Sequence, residues 1–213
     1  MIYLIIILKN RQFSKNSFVI KRKSKLLKNI IGVKMNTENY KKQIKYDRIK
    51  KDEFFKQDFQ SPIPPEEQAN FRKLNYFEPD LNYRFELELE EFNKKEIVNI
   101  EDTGGNLRDF FKWGKFTFKI ENNTCLLYAY KSEEGENRLF IPFKDASSGK
   151  ETYGAGRYLD LYEERDKKGN KWILDFNLAT NPWCAYSENY VCPLIPFENI
   201  LKVKINAGEK NYK

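Results

Sequence analysis

From Tyr83 the chain alternates apolar and polar residues one for one, with Tyr83, Phe85, Leu87 and Leu89 set against Arg84, Glu86, Glu88 and Glu90. Successive side chains of an extended strand point to opposite faces, so this period builds a half-buried strand rather than a helix. The signal recurs over Glu96–Glu101, Lys115–Ile120, Cys125–Tyr130, Arg138–Phe143, Tyr158–Glu163, Lys171–Phe176 and Ile200–Ile205. Turn residues separate the runs: Asp102-Thr-Gly-Gly, Glu121-Asn-Asn, Glu134-Gly-Glu, Ser147-Ser-Gly and Asp166-Lys-Lys-Gly-Asn. Many short strands at such spacing predict an antiparallel sandwich or partly open barrel.

Helical spacing is confined to the part before these strands. Glu38–Gln57 carries Tyr40, Ile44, Asp47 with Ile49, and Phe54 with Phe55 at i+3/i+4 intervals amid charges that can pair on the outer face. Ser61-Pro-Ile-Pro-Pro stops it, and Pro65 followed by Glu66 and Glu67 opens a second helix predicted to run to about Leu74. The expected class is therefore α+β, mainly β, with N-terminal helices and one β-rich domain over 35–213.

Charge excludes an obvious function. The 213-residue chain has a formal charge of +7, but residues 1–34 hold nine Lys or Arg and no acid. Removing those nine leaves 29 basic against 31 acidic residues over 35–213. A balanced domain lacks the footprint that a phosphate backbone requires, so no nucleic-acid partner is expected. Ile2–Leu8 is an apolar run of seven, short of the ~20 needed to cross a membrane. It also lacks the basic flank and cleavage site of a secretory signal. We read Met35 as the native start and 1–34 as a non-native or disordered basic extension, with a membrane-touching arm as the alternative.

The chain contains no histidine. That removes Ser-His-Asp and Cys-His nucleophile systems and the usual imidazole zinc sites. Three cysteines without a signal peptide point to the reducing cytoplasm.

Between Phe176 and Ile200 the alternation collapses into a stretch rich in proline and aromatic residues. Trp183, Tyr186, Tyr190 and Phe197 carry too much apolar surface to leave in water, and Pro182, Pro193 and Pro196 restrict the backbone. An ordered loop pinned across the sheet is expected. Here the residues Thr152-Tyr-Gly-Ala-Gly-Arg-Tyr-Leu, Leu174-Asp-Phe-Asn, Asn181-Pro-Trp-Cys-Ala-Tyr, Tyr190-Val-Cys-Pro-Leu-Ile-Pro-Phe-Glu-Asn and Ala207-Gly-Glu-Lys closely resemble the prokaryotic family called domain of unknown function 1684. Phe54-Phe55, Ser61-Pro-Ile-Pro, Phe71 and Tyr76-Phe77 are similar to it as well, so the resemblance spans Met35 to Lys210. It implies a single domain starting at Met35 with the C-terminal motifs as its signature, and it implies no reaction or cofactor.

Within that signature, Tyr153, Gly154, Gly156 and Arg157 combine close backbone approach with a guanidinium suited to a carboxylate or phosphate. The alternative is a tight turn, with Arg157 paired to an internal carboxylate such as Asp175. Asp175 and Asn177, two apart at a strand end, are expected on one face opposite Leu174 and Phe176. Cys184 and Cys192 read as loop thiols close enough for a disulfide where the compartment allows it, with redox chemistry or a soft metal as alternatives. Glu209 and Lys210 offer an adjacent carboxylate and ammonium. Asn181, Tyr190 and Asn199 belong to the same motifs and complete the candidate set. The expected partner is a small anionic or polar ligand near Arg157 and Asp175. An enzyme without imidazole chemistry and a structural or interaction protein stay open beside it.

Overall fold

The computed structural model describes residues 36–213, so the expectations for residues 1–35 lie outside the described residues. Two units divide the chain, Met1–Asn39 and Tyr40–Lys213. Of the first, Asn36 accepts a hydrogen bond from the Glu38 N–H through its side chain. The second holds the described strands and their apolar cores.

Helix α1 (Thr37–Gln57) is followed by one short turn of helix, α2 (Pro65–Gln68). The strands are β1 (Arg84–Glu88), β2 (Glu90–Glu101), β3 (Leu107–Ile120), β4 (Asn123–Lys131), β5 (Arg138–Phe143) and β6 (Arg157–Tyr162). A single-turn helix α3 (Glu163–Asp166) precedes β7 (Lys167–Lys168) and β8 (Lys171–Asp175). Three 3-10 turns then carry the chain onward: Phe176–Leu178, Trp183–Ala185 and Phe197–Asn199. The fold is α+β, mainly β. Two antiparallel sheets, β1-β8-β7 and β2-β3-β4-β5-β6, form it, and neither closes into a barrel. Among the described residues no helix is long and apolar enough to cross a membrane.

The main core lies between the sheets. Phe116, Phe118, Leu127, Leu139, Ile141, Phe143, Leu159 and Leu161 of the larger sheet meet Trp172, Leu174 and Phe176, with Phe85 and Leu87 of β1 packed against them. Alternate residues face the other way, and Phe110, Tyr130 and Phe140 form a second apolar layer with Tyr128 and Tyr158. Pairing of β3 with β4 slips between Lys112 and Gly114. An extra residue inverts the side-chain phase, which is how Phe110 and Phe116, both even-numbered, serve opposite faces.

Two predicted elements differ. The second helix stops at Gln68 because the chain must deliver both Phe71 and Leu74 to a cluster with Phe55, Ile63 and Tyr186. Leu74 N–H is taken by the Asp52 carboxylate (2.9 Å) rather than by a helical carbonyl. Ile200–Ile205 is no strand. Its backbone bonds go to the Lys144–Ala146 connection and to Asp145 Oδ2 instead of a sheet edge.

The long loop is pinned across the second apolar face by hydrogen bonds more than by its aromatics: Tyr186 is buried, but Trp183 is 43% and Phe197 87% exposed, against the expectation that all four would leave water. Leu194 N–H donates to Glu101 O (2.7 Å), Thr103 N–H to Cys192 O (2.9 Å), and the Tyr158 hydroxyl to Pro193 O. Asn199 bonds Tyr128 through both N–H and C=O and reaches Pro142 O (2.7 Å), so it is a latch between loop and sheet.

Candidate functional site

Arg157 has the same parity as Leu159 and Leu161, so β6 turns it into the inter-sheet space at one end of the core. It is 0% exposed. Nη1 donates to Ala207 O and Glu209 O (3.0 Å), and Nη2 to Ile205 O (3.0 Å) and Asp145 Oδ1 (3.1 Å). Burial lowers the pKa of the guanidinium, and the facing Asp145 charge opposes that shift. Asp145 is buried with it and also accepts from the Ser147 hydroxyl (2.7 Å) and Ile205 N–H (2.7 Å). The partner of Arg157 is thus Asp145, and Asp175 is not among its hydrogen-bond acceptors. Gly156 has φ +102°, and a Cβ there would lie 2.7 Å from Phe143 O and 2.5 Å from Ile195 Cγ1. Its N–H donates to Tyr153 O (3.0 Å), so the Gly156 amide is taken up inside the turn. Gly154 is exposed beside it.

Glu209 carries the arrangement outward. Its carboxylate accepts from Lys51 Nζ (2.5 Å), Asn181 N–H (2.8 Å) and the Tyr186 hydroxyl. Asn181 also donates to Lys210 O (2.9 Å), while its own Oδ1 is buried without a partner. Burial and the Glu209 charge hold Tyr186 well above its ordinary pKa. Arg157, Asn181, Glu209 and Lys210 therefore meet in one place. Gly208 makes this possible: φ is +78°, and a Cβ would lie 2.7 Å from both Ala179 O and Phe176 O. Gly208→Ala is expected to lose about 3 kcal/mol through strain at positive φ and that collision. The check is a lower urea midpoint at unchanged slope.

Lys51, Tyr186, Asp145 and Arg48 were not singled out from sequence. A signal for two of them exists. Tyr40, Ile44, Arg48, Lys51 and Phe55 continue one stripe at i+3/i+4 spacing, and Tyr40, Ile44 and Phe55 are its buried members. Ile49, counted among the apolar positions of the helix, is exposed.

Beside Glu209 opens a cleft of ≈ 710 Å³ lined by α1, the Lys73–Glu78 segment, Lys150–Glu151 and Lys210–Asn211. Lys45, Arg48, Lys73, Lys150 and Lys210 contribute cations; Asp52, Glu78 and Glu151 contribute acids. Two of the acids are engaged, Glu78 with Lys45 (2.8 Å) and Glu151 with Lys204 (3.0 Å). Among the described residues, Lys73, Lys150 and Lys210 form no salt bridge. Arg48 donates to Phe77 O (2.7 Å) and Asn177 O (3.3 Å) and lies 4.4 Å over the Tyr76 ring, leaving Nε buried without a partner. The Tyr76 hydroxyl is likewise buried and unpartnered. Burial raises its pKa, with the Glu209 and Asp52 charges adding to the effect and Arg48 opposing it.

Asp175 and Asn177 do come together, though through a turn and not through strand alternation. Asp175 caps the 3-10 turn after β8 by accepting from Asn177 N–H (3.0 Å) and Nδ2 (2.9 Å), and Leu174 and Phe176 are buried along with them. The Tyr40 hydroxyl donates to Asp175 (2.8 Å), and Asn177 ties Asp80 through N–H and C=O. This network is separate from the partners of Arg157. Among the described residues it meets the cleft through Asn177 O, which holds Arg48. Cys184 and Cys192 lie elsewhere on the loop, with Tyr153 from the turn before β6 beside Cys184. The Tyr153 hydroxyl is 3.9 Å from Cys184 Sγ, and Tyr190 packs edge-on to Trp183 (5.0 Å).

Residues 69–210 match the model of a family described as "Protein of unknown function (DUF1684)". A solved structure of an uncharacterized protein from Haloarcula marismortui is similar at 37% identity, covering 82% of this chain and 95% of that one with a TM-score of 0.63. No curated protein matches.

Proposed function

The chain belongs to the family described as protein of unknown function (DUF1684), and from that footing we propose that it binds a small polyanionic ligand, a carboxylate or phosphate ester, in the cleft beside Glu209. The observation that carries this is the convergence of Lys73, Lys150 and Lys210, none in a salt bridge among the described residues, on one concavity of ligand size. Cations so placed gain little from neighbours and can serve an incoming anion.

Arg157 and Asp175 act in this reading as supports. Arg157 holds the carbonyls of Ala207 and Glu209 and so sets the backbone that presents Lys210. Asp175 positions Asn177, whose carbonyl holds Arg48 at the cleft. The complete enclosure of Arg157 supports this division of labour. No nucleic-acid partner is invoked, and the cytoplasmic assignment rests on the low, odd cysteine count of the sequence.

Calorimetric titration with inorganic phosphate and citrate, against chloride at matched ionic strength, tests the proposal. Saturable binding is expected, weakened at least about tenfold (about 1.4 kcal/mol) in a Lys73→Glu/Lys210→Glu variant whose melting temperature stays near wild type. No saturable heat with either anion, or equal binding by the variant, overturns it.

A further inference from the structure

Cys184 and Cys192 are both free; Cys184 lies in the 3-10 turn Trp183–Ala185, and Cys192 returns against it from further along the loop. The Cys184 N–H donates to Cys192 Sγ (3.4 Å), which sets the two cysteines side by side. Cys192 is anchored by Thr103, whose Oγ1 accepts from Cys192 N–H (3.0 Å) and whose N–H donates to Cys192 O (2.9 Å). Cys184 is half-buried with the Tyr153 hydroxyl beside it, and the adjoining Val191 is exposed. Cys125 offers an internal contrast: it is buried in β4 to the same degree as Cys192 (5% against 7% exposed), but its thiol is directed at Asn123 O (3.8 Å) and not at a second cysteine.

We propose that Cys184 and Cys192 form a dithiol site that reduces a small hydroperoxide and closes to an intramolecular disulfide. Cys192 sulfur attacks the terminal peroxide oxygen, breaking the O–O bond; the alkoxide leaves with a proton and Cys192 becomes a sulfenic acid. Cys184 sulfur then attacks the sulfenic sulfur, its proton leaving with the hydroxyl as water, and the S–S bond forms. Two thiols and one hydroperoxide thus yield one disulfide, one alcohol and one water. Two equivalents of a low-molecular-weight thiol restore the pair by exchange and leave as their own disulfide.

Electrostatics favour these roles. The neighbouring Cys184 thiol, the N–H groups of Cys184 and Trp183, and the Arg108 charge together hold Cys192 below the ordinary thiol range against the cost of burial. Cys184 is pushed up by the same pairing and stays a thiol, while burial raises Cys125. A thiolate is the attacking species, and this direction favours Cys192 over Cys184 as the attacking sulfur. The site is separate from the anion cleft and independent of it.

The test uses the reduced full-length chain, treated with limiting hydrogen peroxide at neutral pH, quenched with N-ethylmaleimide and digested with trypsin. The Trp172–Lys202 peptide contains both cysteines. It is expected to lose both maleimide additions and about 2 Da relative to the dithiol, at least about tenfold faster than Cys125 is consumed, and to recover with dithiothreitol. In Cys184→Ser, Cys192 should be trapped by dimedone as a sulfenic acid. Equal consumption of Cys125, retention of both maleimides in wild type, or no dimedone adduct in the variant each overturns the proposal. The wild-type comparison within one molecule needs no substitution to fold.

Discussion

Arg157→Met is expected to destabilise the protein by about 4 kcal/mol, a loss large enough to threaten folding of a domain of this size. The substitution keeps the volume of the side chain but abandons the buried Asp145 carboxylate and the carbonyls of Ile205, Ala207 and Glu209. Removing one partner of a buried pair costs far more than the pair contributes, because the survivor stays desolvated and unpaired. Arg157→Lys keeps the charge but cannot reproduce a fork that serves four acceptors, so it should lose about half as much. A double variant, Arg157→Met with Asp145→Leu, removes the stranded charge and should recover part of the loss. Full recovery is not expected, since the three carbonyls remain without a donor. Urea unfolding of these proteins, with Asp145→Leu alone to close the cycle, measures each step and the coupling. A loss under about 1 kcal/mol for Arg157→Met would show the carbonyls to be satisfied by other means.

Raising the pH is expected to unfold the protein cooperatively above about pH 10. Tyr40, Tyr76, Tyr130, Tyr158 and Tyr186 all have pKa values raised above the ordinary phenol range, with burial the first cause in each and nearby charge adding to it. In the unfolded chain these phenols ionise near pH 10. The folded state binds their protons more tightly, so the stability they contribute is complete below pH 10. It disappears as pH rises through the interval up to the folded values. For Tyr130 and Tyr186, 0% and 4% exposed, the slope is about 1.4 kcal/mol per pH unit each. The phenolate absorbance of these five tyrosines should therefore appear together with loss of circular dichroism and not ahead of it. Smooth titration of all thirteen tyrosines with the fold intact would contradict the argument.

Much of the framework is visible in local pattern. Arg138–Phe143 is predicted and observed with the same limits, and Phe85 and Leu87 face the core as their alternation requires. The Ile200–Ile205 error comes from the same rule. Leu201, Val203 and Ile205 alternate with Lys202 and Lys204, yet the segment finds its partners on Lys144–Ala146 and never joins a sheet. Alternation reports which side chains are buried, and it cannot report whether a neighbouring strand exists.

The candidate site divides in the same way. The C-terminal motifs located Arg157, Asn181, Glu209 and Lys210, which do converge. Lys51 and Arg48 escaped notice because a charged residue on a helix is ordinarily solvated, and nothing within α1 says that its stripe will meet Glu209. Asp145 was hidden in a turn. Period, turn chemistry and charge balance were readable in the chain alone because each depends on residues within a few positions of one another. The partners of its buried charges were settled by packing, since Lys51 and Glu209 are 158 residues apart and Arg157 meets its carbonyls 48 to 52 residues downstream. A buried ion must be paired wherever the fold can supply a counter-charge, and that supply exists only once the sheets and the C-terminal loop have come together.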